Sequence, residues 1–387
     1  MDTPNSSGHL SLAPRAALNL LAPYSAGRDA AAVRRDSGFT GTVVKLASNE
    51  GAEGPFPTVN EAIAAILTAA HRYPDAYAAP LCTALAQFHG VNSDEVIVSN
   101  GGCALISHLS SAFLEVGDEV IFGRPTFHLY RLEALRMGAV PVQVAIKGDG
   151  SYDLPAMRRA IGPKTRLVYI CTPNNPTGGL ISRSELADFL DGLPPRVLPI
   201  VDEAYFEYVE HTDYADSIRI ARPCERPVVV MRTFSKIYGL AGMRIGYAVA
   251  PPDATASVRK IQNPYEVNRV SQAAALASLM HPDELARRRA RNSVARELLT
   301  GGLRALGLEP LPSQANFACV RVGDAQGIAR ALEGRGVIVR PLDAMGDPAS
   351  IRITVGTAQE VDVFLRAFAA VLGRSGTGSA NPSRINS

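Results

Sequence analysis

Lysine is scarce in this chain: five residues (Lys45, Lys147, Lys164, Lys236 and Lys260) stand against thirty-four arginines. Cysteine is scarce too. Cys82, Cys103, Cys171, Cys224 and Cys319 are scattered, odd in number and free of C-x-x-C spacing. That pattern excludes a disulfide framework or a zinc site and fits reduced thiols in a cytoplasmic protein. No stretch has about eighteen uninterrupted apolar residues, so no membrane span is expected. The first residues lack a charged segment followed by an apolar core, so no signal peptide is expected. A net charge of +2 over 387 residues argues against a dedicated nucleic-acid binder. The densest basic cluster, Arg287-Arg288-Arg289 with Arg291, reads as one charged helix face.

What remains is a long chain of ordinary globular composition, 47% apolar and 20% charged, able to bury a large core. Short β-rich runs alternate with amphipathic ones. Strands are expected at Glu95–Ser99, Glu119–Phe122, Val140–Ala145, Leu167–Cys171, Val197–Val201, Val228–Met231 and Ile245–Val249. Helices are expected at Val59–Ala70, Ala104–Phe113, Leu129–Met137, Leu154–Ala160 and Arg183–Leu190. The alternation predicts an α/β fold with a mostly parallel sheet flanked by helices.

After Lys260 the character changes. A long helical stretch, Gln272 to about Leu306, breaks near His281-Pro282. Strands follow at Asn316–Arg321, Val337–Arg340 and Ile351–Thr354, then a helix over Gln359–Leu372, together a smaller α+β domain. The expected division is a flexible N-terminus (1–20), an arm joining the small domain (21–46), a large domain (47–265), a small domain (266–372) and a disordered tail (373–387).

Lys236 is the most informative of the rare lysines. It lies in an apolar, small-residue stretch, Arg232-Thr-Phe-Ser-Lys236-Ile-Tyr-Gly-Leu-Ala-Gly-Met-Arg244. Arginine cannot give up its proton to become an amine nucleophile; a desolvated lysine can. Upstream, Asp202 ends the run Val-Leu-Pro-Ile-Val, with Tyr205 three residues on. An amine for an aldehyde, an acid for a ring nitrogen and a tyrosine for a ring hydroxyl together describe a site for pyridoxal 5'-phosphate. Pro173-Asn-Asn175-Pro-Thr-Gly178 is a turn between a strand and a helix, where Asn175 can offer its amide to the ring hydroxyl and a substrate oxygen.

The phosphate needs donors. Gly101-Gly102-Cys103 precedes an apolar helix whose N-terminal amides can hold an anion, and Ser235 and Arg244 can complete the cradle. Phe127 can stack on the ring, and its neighbour His128 is a weaker acid–base candidate. Arg352, flanked by β-branched residues, is costly unless it pairs with something, and a substrate carboxylate fits; Arg340 is a second anion clamp. Ligands in open α/β sheets sit beyond the carboxyl ends of the strands, and Asn175, Asp202 and Lys236 all follow expected strands.

These motifs resemble fold-type I pyridoxal-phosphate-dependent aminotransferases, nearest to the histidinol-phosphate aminotransferase subfamily. Supporting stretches are Leu21-Ala-Pro-Tyr24, Ala47-Ser-Asn49-Glu50, Arg72-Tyr73-Pro74, Pro125-Thr-Phe127, Cys171 to Gly178, Asp202-Glu-Ala-Tyr205 and Arg232 to Lys236. Asn263-Pro-Tyr265, Ala315-Asn-Phe317, Gly336 to Arg340 and Arg352 to Thr357 continue the likeness in order, from about residue 21 to 372.

The resemblance implies a homodimer with shared active sites, with Tyr73 reaching the partner's site and Tyr24 and Tyr265 at the substrate pocket. It implies that Arg352 holds a carboxylate or the phosphate of histidinol phosphate, and that the reaction moves an amino group between that donor and 2-oxoglutarate. An aromatic or other amino acid as donor, or a decarboxylase or oxidase on the same scaffold, is the alternative.

Two departures bear on substrate. Where the family usually has Gly-Asn-Gly-Ser-Asp-Glu, this chain has Ser99-Asn-Gly-Gly-Cys103-Ala104. Where it usually has Asn after Pro-Tyr, this chain has Glu266. Facing the pocket, Glu266 would repel a phosphate and welcome a cation; facing solvent, it would be indifferent.

Overall fold

The structure is a computed structural model and describes residues 15–21, 27–214, 216–222 and 227–373. The elements in chain order are α1 (Ala30–Ser37), β1 (Val44–Lys45), α2 (Pro57–Leu67), α3 (Ala79–His89), β2 (Val96–Ser99), α4 (Gly101–Phe113), β3 (Glu119–Arg124), α5 (Leu129–Met137), β4 (Val140–Ala145), α6 (Leu154–Arg159), β5 (Thr165–Cys171) and α7 (Arg183–Asp191). Next come β6 (Leu198–Asp202), α8 (Ser217–Ala221), β7 (Val229–Thr233), β8 (Gly246–Val249), α9 (Pro252–Arg259), α10 (Arg269–Leu279) and α11 (Pro282–Ala305). The chain finishes with β9 (Phe317–Arg321), α12 (Ala325–Glu333), β10 (Val337–Ile338), β11 (Arg340–Leu342), β12 (Asp347–Thr354) and α13 (Ala358–Val371).

Seven strands form the central sheet in the order β2-β8-β7-β6-β5-β3-β4. β8 runs antiparallel to both neighbours, and the other pairings are parallel. Every residue of β6 is buried, as expected for a strand covered on both faces. The carboxyl ends of β2, β3, β5, β6 and β7 share one edge, and each leads into a segment carrying candidate site residues. Helix starts follow from local sequence. Ser182 and Glu185 form a reciprocal cap on α7, and Thr357 and Glu360 do the same on α13.

The smaller unit has β11, β12 and β9 as an antiparallel sheet, covered by α11, α12 and α13. β1 pairs in parallel with β10, and Val44 and Leu46 enter this second core. The expected strand Val337–Arg340 is two strands. Val337–Ile338 pairs with β1, and after Val339 the chain changes partner, so that Arg340 pairs with β12.

The boundary at residue 265/266 falls too early. α10 packs on α2 and α3 and buries Ala274 and Ala275 in the large core, because its small residues allow close helix approach. Apart from Val44 and Leu46, the second core is built from Ala295 of α11 onward. Residues 16–20, expected to be loose, form a short 3-10 helix near α5. Residues 374–387 and Tyr24 lie outside the described residues. Among the described residues, no helix is long and apolar enough to cross a membrane.

Candidate active site

A cleft at the carboxyl edge of the sheet is lined by Gly102, Cys103, Phe127, His128, Asn175, Asp202, Tyr205, Ser235, Lys236, Arg244, Arg340 and Arg352. These come from both units: the central sheet's loops supply most, and β11 and β12 supply the two arginines.

Lys236 follows β7, and its Nζ lies 5.5 Å from the centre of the Tyr205 ring. Burial, reinforced by Arg352, pushes the ammonium pKa down to about 8. Asp202, at the end of β6, is 7% exposed. The Tyr130 hydroxyl donates to its Oδ2 at 2.7 Å, and the Ala204 N–H donates to Oδ1 at 3.1 Å. Burial raises its pKa, partly offset by the Tyr130 bond and the Ala204 N–H. Tyr130 is held by stacking on Tyr169, centroids 4.4 Å apart. Phe127 meets the Tyr130 ring edge-on at 5.7 Å.

The two asparagines of the Pro-Asn-Asn-Pro turn have separate jobs. Asn174 is fully buried and braces the turn: Nδ2 donates to the Pro125 carbonyl and Thr177 Oγ1, while Oδ1 accepts from Thr126. Asn175 lines the cleft, and its Oδ1 accepts from Arg352 Nη1. Arg352 Nη2 donates to the Ala47 carbonyl at 2.6 Å. Across the antiparallel pair, Arg340 is the register partner of Arg352. Burial and these two arginines lower the His128 pKa to about 4, so its ring is neutral at physiological pH.

At the other end, Gly101 adopts φ +80°, and a Cβ there would sit 2.7 Å from Arg244 Nη2. Glycine is therefore required for the Arg244 guanidinium to lie against the start of α4. Arg244 also takes a left-handed conformation, φ +54°, and Nη1 donates to the Ala241 carbonyl at 2.9 Å. Gly102 and Cys103 belong to the first turn of α4 itself, not to a segment before it.

Three expected residues fall outside this cleft. Tyr73 and Tyr265 stack on each other, centroids 4.6 Å apart, and are 77% and 44% exposed. Glu266 faces neither the pocket nor solvent. Its Oε1 accepts from the Asn100 N–H at 2.8 Å and its Oε2 from His108 Nε2 at 2.7 Å, because one donor just before α4 and one on it outcompete water for it. Two residues had no expected role. Asn49 Nδ2 donates to the Tyr205 hydroxyl at 2.9 Å, and Tyr130 holds Asp202. Asn49 stood within a motif, and its positive φ of 53° is the conformation that asparagine tolerates; Tyr130 carried no signal beyond a helical aromatic.

The residues present fit pyridoxal phosphate. An acid in the sheet edge is desolvated enough to prefer a cationic partner, a lysine of lowered basicity lines the same cleft, and a glycine turn with Arg244 offers an anion seat. Fold and site together define a fold-type I pyridoxal-phosphate-dependent enzyme. Residues 41–368 match the family model for aminotransferase class I and II. The chain belongs to that family and is a pyridoxal-phosphate-dependent aminotransferase.

It is 37% identical over 359 residues to a histidinol-phosphate aminotransferase of Moorella thermoacetica, covering 92% of each chain. It is 39% identical over 353 residues to an aromatic amino acid aminotransferase of Thermobifida fusca, covering 91% of this chain and 95% of that one. The crystal structure of histidinol-phosphate aminotransferase from Sinorhizobium meliloti, in complex with pyridoxal-5'-phosphate, superposes with a TM-score of 0.84 at 27% identity, covering 94% of this chain and 99% of that one.

Proposed function

We propose that this aminotransferase takes its amino group from histidinol phosphate or a closely related anionic donor, passes it to 2-oxoglutarate, and works as a cytoplasmic homodimer. The observation that carries the reading is the Arg340–Arg352 register pair, which puts two cations on the wall of the cleft that holds Lys236. Both proposed substrates bring anionic groups, and arginine forks bind phosphate and carboxylate in two-point fashion.

Pyridoxal phosphate supplies an aldehyde to take the donor's amine and a ring that draws electrons from its α-carbon. This chain's residues do the rest. Lys236 Nζ, neutral in a useful fraction because of its burial, would take the proton from the donor's α-carbon and deliver it to the carbon that carried the aldehyde, leaving the amino group behind. The Asp202 carboxylate would keep the ring nitrogen protonated, and Tyr205, oriented by Asn49, would hydrogen-bond the ring hydroxyl together with Asn175. Phe127 would cover a ring face, and Gly102, Cys103, Ser235 and Arg244, which line the same cleft, would seat the phosphate. Tyr73 and Tyr265, exposed outside their own protomer's cleft, support a role at a partner subunit's site.

The test is a donor panel with 2-oxoglutarate, scored by glutamate formed. Histidinol phosphate should exceed the aromatic amino acids in kcat/KM. Arg340→Ala should raise KM for histidinol phosphate by about tenfold, equivalent to about 1.4 kcal/mol, and leave KM for phenylalanine nearly unchanged. No glutamate from histidinol phosphate would remove this reading. The aromatic reading, supported by the relative from Thermobifida fusca, would then stand in its place.

Tyr130→Phe should keep the stack on Tyr169 and remove only the donor to Asp202. A loss of about ten- to a hundredfold in kcat/KM is expected, since one charge-assisted bond is worth about 1.5–3 kcal/mol. An unchanged rate would show that the Ala204 N–H alone suffices.

A further inference from the structure

The loop between α9 and α10 is tied to the start of α4 at several points. Gln262 Nε2 donates to the Val98 carbonyl at 2.6 Å, near the end of β2. Glu266 then spans α4 itself: one carboxylate oxygen takes the Asn100 N–H and the other takes His108 Nε2, two turns further along. The Glu266 side chain is 8% exposed and that of His108 13%. Burial alone would raise the Glu266 pKa, but His108 and the Asn100 N–H outweigh it and hold the carboxyl below its ordinary range. It is therefore ionised and can only accept, so His108 carries its proton on Nε2.

Asn100 is the residue before the first turn of α4, and its own side chain makes no capping bond. The bracket thus fixes the Ser99–Asn100 peptide, one residue ahead of Gly101, whose left-handed φ and contact with Arg244 shape the anion seat. Tyr265, next to Glu266, is itself left-handed at φ +59°, a costly conformation for a bulky residue that the surrounding contacts maintain. Two effects oppose each other. A carboxylate near the seat repels a phosphate, whereas a clamped turn presents its amides without paying ordering entropy on binding. The carboxylate's two hydrogen bonds absorb its charge, which favours the second effect.

We propose that Glu266 is a positioning residue for the cofactor phosphate, acting through Asn100 and His108 to hold the Gly101–Cys103 turn in its binding shape. The inference is independent of which amino donor the enzyme uses.

The test separates phosphate from ring. The full-length enzyme, stripped of cofactor, is titrated with pyridoxal phosphate and, separately, with pyridoxal, which lacks the phosphate. Glu266→Ala should weaken pyridoxal phosphate by about tenfold and change pyridoxal by less than about twofold. Glu266→Gln keeps an acceptor for Asn100 and should restore pyridoxal phosphate binding to within about threefold of the parent. Equal weakening of both ligands, unchanged or tighter pyridoxal phosphate binding, or a Glu266→Gln as weak as Glu266→Ala would each overturn the proposal. Should Glu266→Ala fail to fold, His108→Ala reads the same ratio. There, about a threefold loss for pyridoxal phosphate alone supports the bracket and no selective loss refutes it.

Discussion

Lys236→Ala should lower kcat by about ten-thousandfold while the protein still folds and still binds pyridoxal phosphate. The size follows from the role: a positioned acid–base group contributes up to about 10^4 in rate, and no second amine lines the cleft among the described residues. Folding should survive because Lys236 makes no side-chain ion pair among the described contacts, and its backbone turn is held by Gly239 N–H on the Lys236 carbonyl at 3.0 Å. The amine's pKa of about 8 also sets a pH dependence. At pH 7 about a tenth is neutral, roughly three hundredfold more than for an ordinary lysine. Lys236 loses its neutral fraction as pH falls below about 8, so cofactor attachment to the stripped enzyme should slow in acid and level off above that value. Borohydride reduction followed by peptide mapping should place the pyridoxyl group on Lys236. A label on Lys45, Lys147, Lys164 or Lys260 would sink the assignment.

That lysine was legible because it is rare and its neighbours are ordered around it; other parts of the molecule were less so. The seven sheet strands were readable from short β-favouring runs, and their ends moved by at most two residues. α1, α3, α8, α9 and α12 were not expected. α3 and α9 carry a proline in their first turn, which reads as a break although it suits that position. α12 is short and follows Gly323-Asp324, a turn signal that here serves as its cap. The change of partner after Val339 had no local signal, since Val337 to Arg340 is one β-favouring run. Only the tertiary pairing of Arg340 with Arg352 reveals that the run divides, and that division places the second arginine on the cleft.

Glu266 shows the same limit from the other side. Sequence could pose whether it met the pocket or solvent, but not a third surface, α4, brought near by the fold. Residues whose chemistry demands a ligand could be read in order along the chain. Residues that serve another residue, such as Tyr130, Asn49 and Glu266, became visible only through their partners.

Asp202→Ala should cut kcat/KM by about a thousandfold, about 4 kcal/mol of transition-state stabilisation, against about tenfold for Asp202→Glu. The contrast rests on where the carboxylate sits. β6 delivers it to the sheet edge, one oxygen held by Tyr130 and the other by the Ala204 N–H, so its position is fixed before any ligand arrives. Desolvation raises its pKa. A protonated ring nitrogen beside it would reverse that shift, and the same free energy would then keep the nitrogen protonated. Alanine removes the charge and leaves the Tyr130 hydroxyl without its acceptor. Glutamate keeps the charge and loses only register. Both variants should therefore be compared on the pH dependence of kcat as well as on its size. The alanine form should lose activity more steeply as pH rises, because nothing opposes deprotonation of the nitrogen, whereas the glutamate form should keep the parent profile. Equal and mild losses in the two variants, with unchanged profiles, would separate Asp202 from the ring nitrogen and leave it a structural end to β6.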